Sequence, residues 1–377
     1  MIKILTIIGA RPQIIKASAL SRKIRDKFAE EIDEVIVHTG QHYDNNMSEV
    51  FFNELNIPSP KYNLAVGSDS HAKQTAKMID GIERVLFQEE PQAIVLYGDT
   101  NSTLAGAIAA SKIHIPIVHI EAGLRSFDKR MPEEINRIMC DHVSTLLFSP
   151  TTAGYNNLVR EGFSIEQHLQ PTANKPNIYH SGDIMLDNTL FFLQKAKEKY
   201  GNLNTHGDNF ILCTIHRNTN TDNKDRLQSI FNALMYISQK EKIVLPLHPR
   251  TKKMLYSMFD SVYLKSLEAN DNIDIIEPVS FLQMTLLESL AKVIITDSGG
   301  VQKEAYYLEK PCVILREQTE WVEIVESKNA AIADADFEKI VFTVQNYINN
   351  PPKNYPKIFG DGNASEFICN EIKNKLH

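Results

Sequence analysis

TDSGGVQKE, residues 296–304, completes the apolar run VIIT (293–296) and leads into helix-forming residues. A β-branched run ending in Asp-Ser-Gly-Gly marks a strand–loop–helix junction. Such a junction aims the free N–H groups of a first helical turn, and the positive end of the helix dipole, at one small volume where an anion fits. Ser298 adds a hydroxyl donor there, and Gly299 and Gly300 let a phosphate approach the backbone closely. Glu304, further along the same helix, can accept from ribose hydroxyls. The plainer reading is a tight turn that needs Gly-Gly for its geometry, with Asp297 or Ser298 as an ordinary N-cap. This stretch alone leaves both readings open.

The same alternation of strand and helix extends along the chain. Residues 2–8 (IKILTII), 34–38 (EVIVH), 94–97 (IVLY), 117–120 (IVHI) and 145–149 (TLLFS) are short β-rich runs separated by helical patterns. This predicts an α/β fold, a parallel sheet with helices on both faces. The pattern pauses at QPTANKPN (170–177), whose two prolines predict a linker, so a boundary is expected at 174/175. A second series follows at 209–215, 242–247, 273–276, 293–296 and 312–315. Two such halves imply a cleft lined by polar residues at the carboxyl ends of strands.

The chain has 377 residues, enough for two sizeable cores, and its 43% hydrophobic and 23% charged residues are ordinary for a water-soluble protein. No apolar run approaches a membrane span. The opening MIKILTIIGARP reads as a buried first strand, not a signal peptide. Cys140, Cys213, Cys312 and Cys369 are widely spaced, which predicts buried thiols in a reducing compartment and hence a cytoplasmic protein. No Cys-x-x-Cys occurs, so no metal is expected. A net charge of −7 gives no electrostatic footing for nucleic acid.

Local charges are then expected to serve a local anion. GARPQIIK (9–16) ends the first strand with Gly and offers Arg11 and Lys16 around a Pro-started helix, against the plainer reading of a solvated helix start. YGDTNST (97–103) puts Asp99 at a strand end, where an N-cap is the simple alternative. HIEAGLR (119–125) puts Glu121 at the end of the next strand. RMPEEINR (130–137) adds Glu133 and Glu134, which can be read as dipole-matched acids with a Glu133–Arg137 pair. Neighbouring carboxylates in a partly dry cleft acquire raised and divergent pKa values, which suits proton abstraction and return. CTIHRN (213–218) places His216 at a strand end in the second half, as a structural His, a phosphate ligand or an acid.

Taken in order, GARPQIIK, TGQH, GDTNST, HIEAGLRSF with MPEEINR, the HR of TIHRN and TDSGGVQKEA resemble the non-hydrolysing UDP-N-acetylglucosamine 2-epimerases over nearly the whole chain. The resemblance implies two Rossmann-like domains of the glycosyltransferase-B kind, usually a homodimer, with a last helix (within 360–377) crossing back to the first domain. It also implies inversion of carbon 2 of a UDP-N-acetylhexosamine, by anti elimination of UDP to a glycal and re-addition, without metal or nicotinamide cofactor, for surface polysaccharide precursors. Matched by motif, Asp99, Glu121 and Glu133 are the acid–base carboxylates and His216 the active-site His. Arg11, Lys16, Ser298, Gly299, Gly300 and Glu304 match UDP-binding positions.

The sequence departs from that pattern in three places. Thr219 stands where the usual His-Arg-x-Glu-Asn has its acid, and Trp321 where many members have Arg. After TGQH the chain reads YDNNMS, where members with an allosteric second UDP-sugar site carry other polar residues. The first two departures leave the sugar open, since related enzymes act on UDP-2,3-diacetamido-glucuronate. The alternatives are a glycosyltransferase of the same fold, a hydrolysing epimerase and a silent nucleotide-sugar-binding protein.

Overall fold

The computed structural model of the chain describes residues 1–40, 57–201 and 209–376. The end of TGQH and all of YDNNMS lie outside the described residues. The chain divides into two compact units, Met1–Asn188 with Lys357–His377, and Thr189–Pro356.

Among the described residues the first unit holds seven strands: β1 (Ile2–Ile8), β2 (Ile32–His38), β3 (Tyr62–Asn63), β4 (Ala93–Tyr97), β5 (Ile117–Ile120), β6 (Leu146–Ser149) and β7 (Asn177–His180). They pair in parallel in the order β3-β2-β1-β4-β5-β6-β7. The second unit holds β8 (Phe210–Thr214), β9 (Lys242–Pro246), β10 (Ile273–Ile276), β11 (Val293–Thr296), β12 (Cys312–Ile314) and β13 (Ala330–Ile332), parallel in the order β10-β9-β8-β11-β12-β13. Central strands are buried on both faces, which is why they read as unbroken apolar runs. Leu5, Ile7, Ile94 and Leu96 pack with Met78, Ile82, Ala105 and Ala109 in the first core. Ile211, Ile295 and Val313 pack with Leu227, Phe231 and Val344 in the second.

Strand order turns back between β1 and β4 in one sheet and between β8 and β11 in the other. The loops beyond those strand ends diverge, and each unit opens a crevice there. Arg11 follows β1, Asp99 follows β4, His216 follows β8 and Ser298 follows β11, so four expected site residues stand at the two switch points.

Two expectations need correction. The boundary does not fall at 174/175, because β7 pairs with β6 from Leu146↔Asn177 to Ser149↔His180, and the chain leaves the first unit inside helix Ile184–Tyr200. The proline-flanked stretch is a turn instead: Thr172 and Lys175 exchange backbone hydrogen bonds of 3.1 and 3.0 Å. Strands β3, β7 and β13, of two to four residues each at sheet edges, were not anticipated, being too short to carry a period.

The last helix, Ala364–Lys375, packs on helix Arg11–Lys23 of the first unit. Ile368, Cys369 and Ile372 are buried, and Glu366 takes Lys23 and Lys27 at 3.1 and 2.7 Å. All four cysteines are buried free thiols. Among the described residues no helix is long and apolar enough to cross a membrane.

Candidate active site

In the first unit the acids and cations gather at the β1/β4 crevice. Asp99 is not an N-cap; Thr100 caps helix Asn101–Lys112 by accepting from Thr103 N at 3.3 Å. Asp99 instead pairs with Arg137, and among the described residues no Glu133–Arg137 ion pair forms. Burial raises the Asp99 pKa; Arg137 opposes the rise, Glu121 adds to it, Lys16 opposes it and Glu133 adds to it. The three carboxylates therefore share one electrostatic field. Lys16 pairs with Glu121. Burial works against the Lys16 ammonium, but Glu121 and Asp99 outweigh it, and its pKa lies above the ordinary lysine value. Gly98 makes room for that pair, since a Cβ there would stand 3.3 Å from Lys16 Nζ and 3.4 Å from Glu121 Oε2. Arg11 is exposed in the first turn of its helix.

Glu121 has a φ of +75°, a left-handed conformation that side chains other than glycine seldom adopt. Its surroundings over-determine it. Glu121 N and Ala122 N both donate to Phe148 O at 3.0 Å, and Gly123 N donates to Asp141 Oδ2 at 3.1 Å. Asp141 is sealed from solvent, meeting His119 Nδ1 at 2.7 Å and Arg125 Nη2 at 2.7 Å. His119 Nε2 faces Gly98 O at 2.8 Å. With acceptors at both ring nitrogens, His119 is a buried imidazolium. Burial disfavours that charge, but the Cys140 and Asp141 side chains outweigh it and lift its pKa well above the usual range. The network thus ties the Asp99 loop, the Glu121 loop and helix Pro132–Val143 together.

Two further polar residues finish this frame. Gln13 accepts from Gly9 N and Ala10 N at 2.9 and 3.2 Å and donates to Tyr97 O and Thr103 Oγ1 at 3.0 Å each. Glu134 is buried and accepts from Ser126 N at 2.8 Å and Phe127 N at 3.1 Å, while its neighbour Glu133 is exposed. Of the adjacent pair, Glu134 is therefore the one that holds the Ser126–Phe127 loop.

In the second unit Asp297, fully buried, organises the β8/β11 crevice. It accepts from His216 N at 3.1 Å, Arg217 N at 3.0 Å and Asn220 Nδ2 at 3.1 Å, and lies 3.2 Å from His216 Nδ1. Burial lowers the His216 pKa; Asp297 opposes this, and His248, with ring centroids 5.8 Å apart, adds to it. Thr219, the departure in this motif, is exposed. Ser298 caps helix Gly299–Tyr307, accepting from Val301 N at 3.4 Å, and its own O–H remains a donor.

Neither Gly299 nor Gly300 has a positive φ, and a Cβ would meet nothing nearer than 3.6 Å at Gly299 or 3.8 Å at Gly300. The protein's own turn geometry therefore does not require this Gly-Gly. Glu304 faces Glu288 of helix Phe281–Leu290; Glu288 is buried, and neither of its oxygens receives a hydrogen bond among the described residues. Burial raises both carboxyls; the neighbouring Glu304 charge adds to the rise at Glu288, and Lys303 opposes the rise at Glu304.

Sequence reasoning missed Gln13, His119, Asp141, Asp297 and Glu288. A polar residue inside an apolar strand run marks His119, and position before the N-cap marks Asp297. Asp141 and Glu288 read as ordinary helix residues and carry no local signal.

Two parallel α/β units, each with polar residues gathered at its switch point, define a protein of two Rossmann-like domains of the glycosyltransferase-B-like class. The family model for UDP-N-acetylglucosamine 2-epimerase matches residues 26–373, and the chain belongs to that family of isomerases. It is 46% identical, over 99% of each chain, to the UDP-N-acetylglucosamine 2-epimerase homolog of Methanococcus maripaludis. It is 45% identical to the UDP-2,3-diacetamido-2,3-dideoxy-D-glucuronate 2-epimerase of Pseudomonas aeruginosa, over 97% of this chain and 98% of that one. The crystal structure of Methanocaldococcus jannaschii UDP-GlcNAc 2-epimerase in complex with UDP-GlcNAc and UDP matches with a TM-score of 0.79 and 42% identity, covering 98% of this chain and 99% of that one.

Proposed function

We propose that the chain inverts carbon 2 of a UDP-N-acetylhexosamine. A first-unit carboxylate takes the carbon-2 proton as the carbon-1–oxygen bond to UDP breaks, leaving a glycal. UDP then returns to carbon 1 while an acid protonates carbon 2 from the other face, so no net proton or redox change results. Asp99, Glu121 and Glu133 supply the acid and base. In the second unit Ser298, Gly299 and Gly300 receive the diphosphate, Glu304 takes the ribose and His216 serves the departing UDP; in the first, Arg11 and Lys16 are the UDP-binding cations. The observation that carries this reading is the single field shared by Asp99, Glu121 and Glu133 at a switch point, with Glu121 held in a strained backbone state.

Sequence identity does not choose the sugar, since relatives at 45% and 43% are named for the diacetamido-uronate and for UDP-N-acetylglucosamine respectively. Incubation with UDP-N-acetylglucosamine in heavy water, followed by NMR, tests the reaction. Deuterium at carbon 2 of an intact UDP-sugar is the expected result. Free N-acetylmannosamine with UDP would mean hydrolysis, and no exchange would leave a transferase or a silent binder.

The enzyme is further proposed to be a cytoplasmic homodimer. Met131, Ile135 and Met139, exposed at four-residue spacing along one helix face, support pairing with a second copy. Light scattering of wild type and Ile135→Asp is expected to give a dimer and a weakened dimer.

A further inference from the structure

We infer that Trp321 is a positioning residue for the UDP-binding helix start and makes no contact with the sugar. The inference rests on the reading that the diphosphate sits at Ser298–Gly300. A helix that begins Gly-Gly has the most backbone freedom to lose and no side chains there to fix it. The N–H groups that would grip a phosphate therefore need an outside anchor.

Trp321 supplies one. Its indole Nε1 donates to Gly299 O at 3.0 Å. One ring face carries the Lys303 ammonium, 4.2 Å from the ring centroid. Lys303 belongs to the same helix and is itself buried, a setting in which a cation–π contact is strong. Trp321 is held in turn: its backbone N donates to Thr319 Oγ1 at 3.1 Å, and Thr319 donates to the buried Gln302 Oε1 at 2.6 Å. The Thr319–Trp321 segment thus grips Gly299, Gln302 and Lys303, the first two turns of one helix. The indole N–H and one ring face are thus committed to that helix and are not open to an extra acetamido group. The exchange of Arg for Trp at this position then bears on UDP affinity, not on the choice of sugar.

Calorimetry with free UDP tests this on wild type, Trp321→Phe, Trp321→Leu and Ser298→Ala, each first checked for its unfolding temperature. Trp321→Phe keeps an aromatic face and loses the N–H, and UDP is expected to bind about tenfold more weakly. Trp321→Leu loses both and is expected to bind more weakly still. KM should rise in parallel, with kcat changing by less than about threefold, since the anchor serves ground and transition states alike. The ratio of kcat/KM for UDP-N-acetylglucosamine to that for the diacetamido-uronate should stay within about threefold of wild type. Wild-type UDP affinity in a folded Trp321→Leu would overturn the inference while Ser298→Ala still weakens binding. So would a shift in the sugar ratio with unchanged UDP affinity. Unchanged affinity in Ser298→Ala would remove the diphosphate reading itself, and the inference with it.

Discussion

Glu121 shows how much of this site is decided at single residues. Its positive φ costs on the order of 1–3 kcal/mol, and the backbone bonds to Phe148 and Asp141 hold the residue there regardless. A carboxylate fixed in this way meets its substrate without reorganising. Asp99→Asn, Glu121→Gln and Glu133→Gln are each expected to lower turnover by about a hundredfold or more, the scale of lost acid–base help. Steady-state kinetics check this, and near-normal turnover in all three would remove their assigned roles. The pH profile follows from Asp99. Its raised folded pKa means that the base form is lost as pH falls through a value above the ordinary carboxylate, and Arg137 holds that value down. Arg137→Met removes the restraint, so the acid limb of kcat/KM is expected to move to higher pH. Because Asp99 and Glu121 interact, the limb reports the cluster and not one group. An unmoved limb would mean that Asp99 does not titrate in catalysis.

At the scale of the element, the helix that begins at Gly299 separates folding from binding. Gly300 has an ordinary helical backbone and room for a Cβ, whose nearest neighbour would be Ser298 Oγ at 3.8 Å. Gly300→Ala is therefore expected to leave stability unchanged or raise it by up to about 1 kcal/mol, as alanine is the better helix former. The same methyl stands where a phosphate would approach the N–H groups, so UDP affinity is expected to fall at least about tenfold. Thermal unfolding and calorimetry on one preparation check both halves. Retained affinity would mean that the glycines serve something other than a bound anion. The Gly-Gly was legible in the sequence, but its plainer reading as a turn requirement fails on the observed φ values.

At the scale of the whole molecule, the chain's last helix belongs to its first unit. Ile368, Cys369 and Ile372 are fully buried there, and Asp187 holds the helix start through Ser365 N at 2.8 Å. Deleting residues from Ala364 onward is expected to cost the first unit about 5 kcal/mol, roughly the transfer energy of those side chains. Hydrogen exchange should show β1–β7 losing protection while β8–β13 keep theirs; equal losses in both units would contradict this division. The two α/β units, ten of the thirteen described strands and the strand-end positions of Asp99, Glu121, His216 and Ser298 are legible in the amino-acid order, because buried parallel strands write themselves as apolar runs and their ends as polar breaks. Which charges pair is a matter of tertiary structure. Arg137 is four residues from Glu133 in the chain yet pairs with Asp99, and Asp141, twenty-two residues beyond His119, makes it an imidazolium. Those partners lie on different strands and helices, and no local pattern in a sequence encodes a contact that exists only once the sheet has brought its strand ends together.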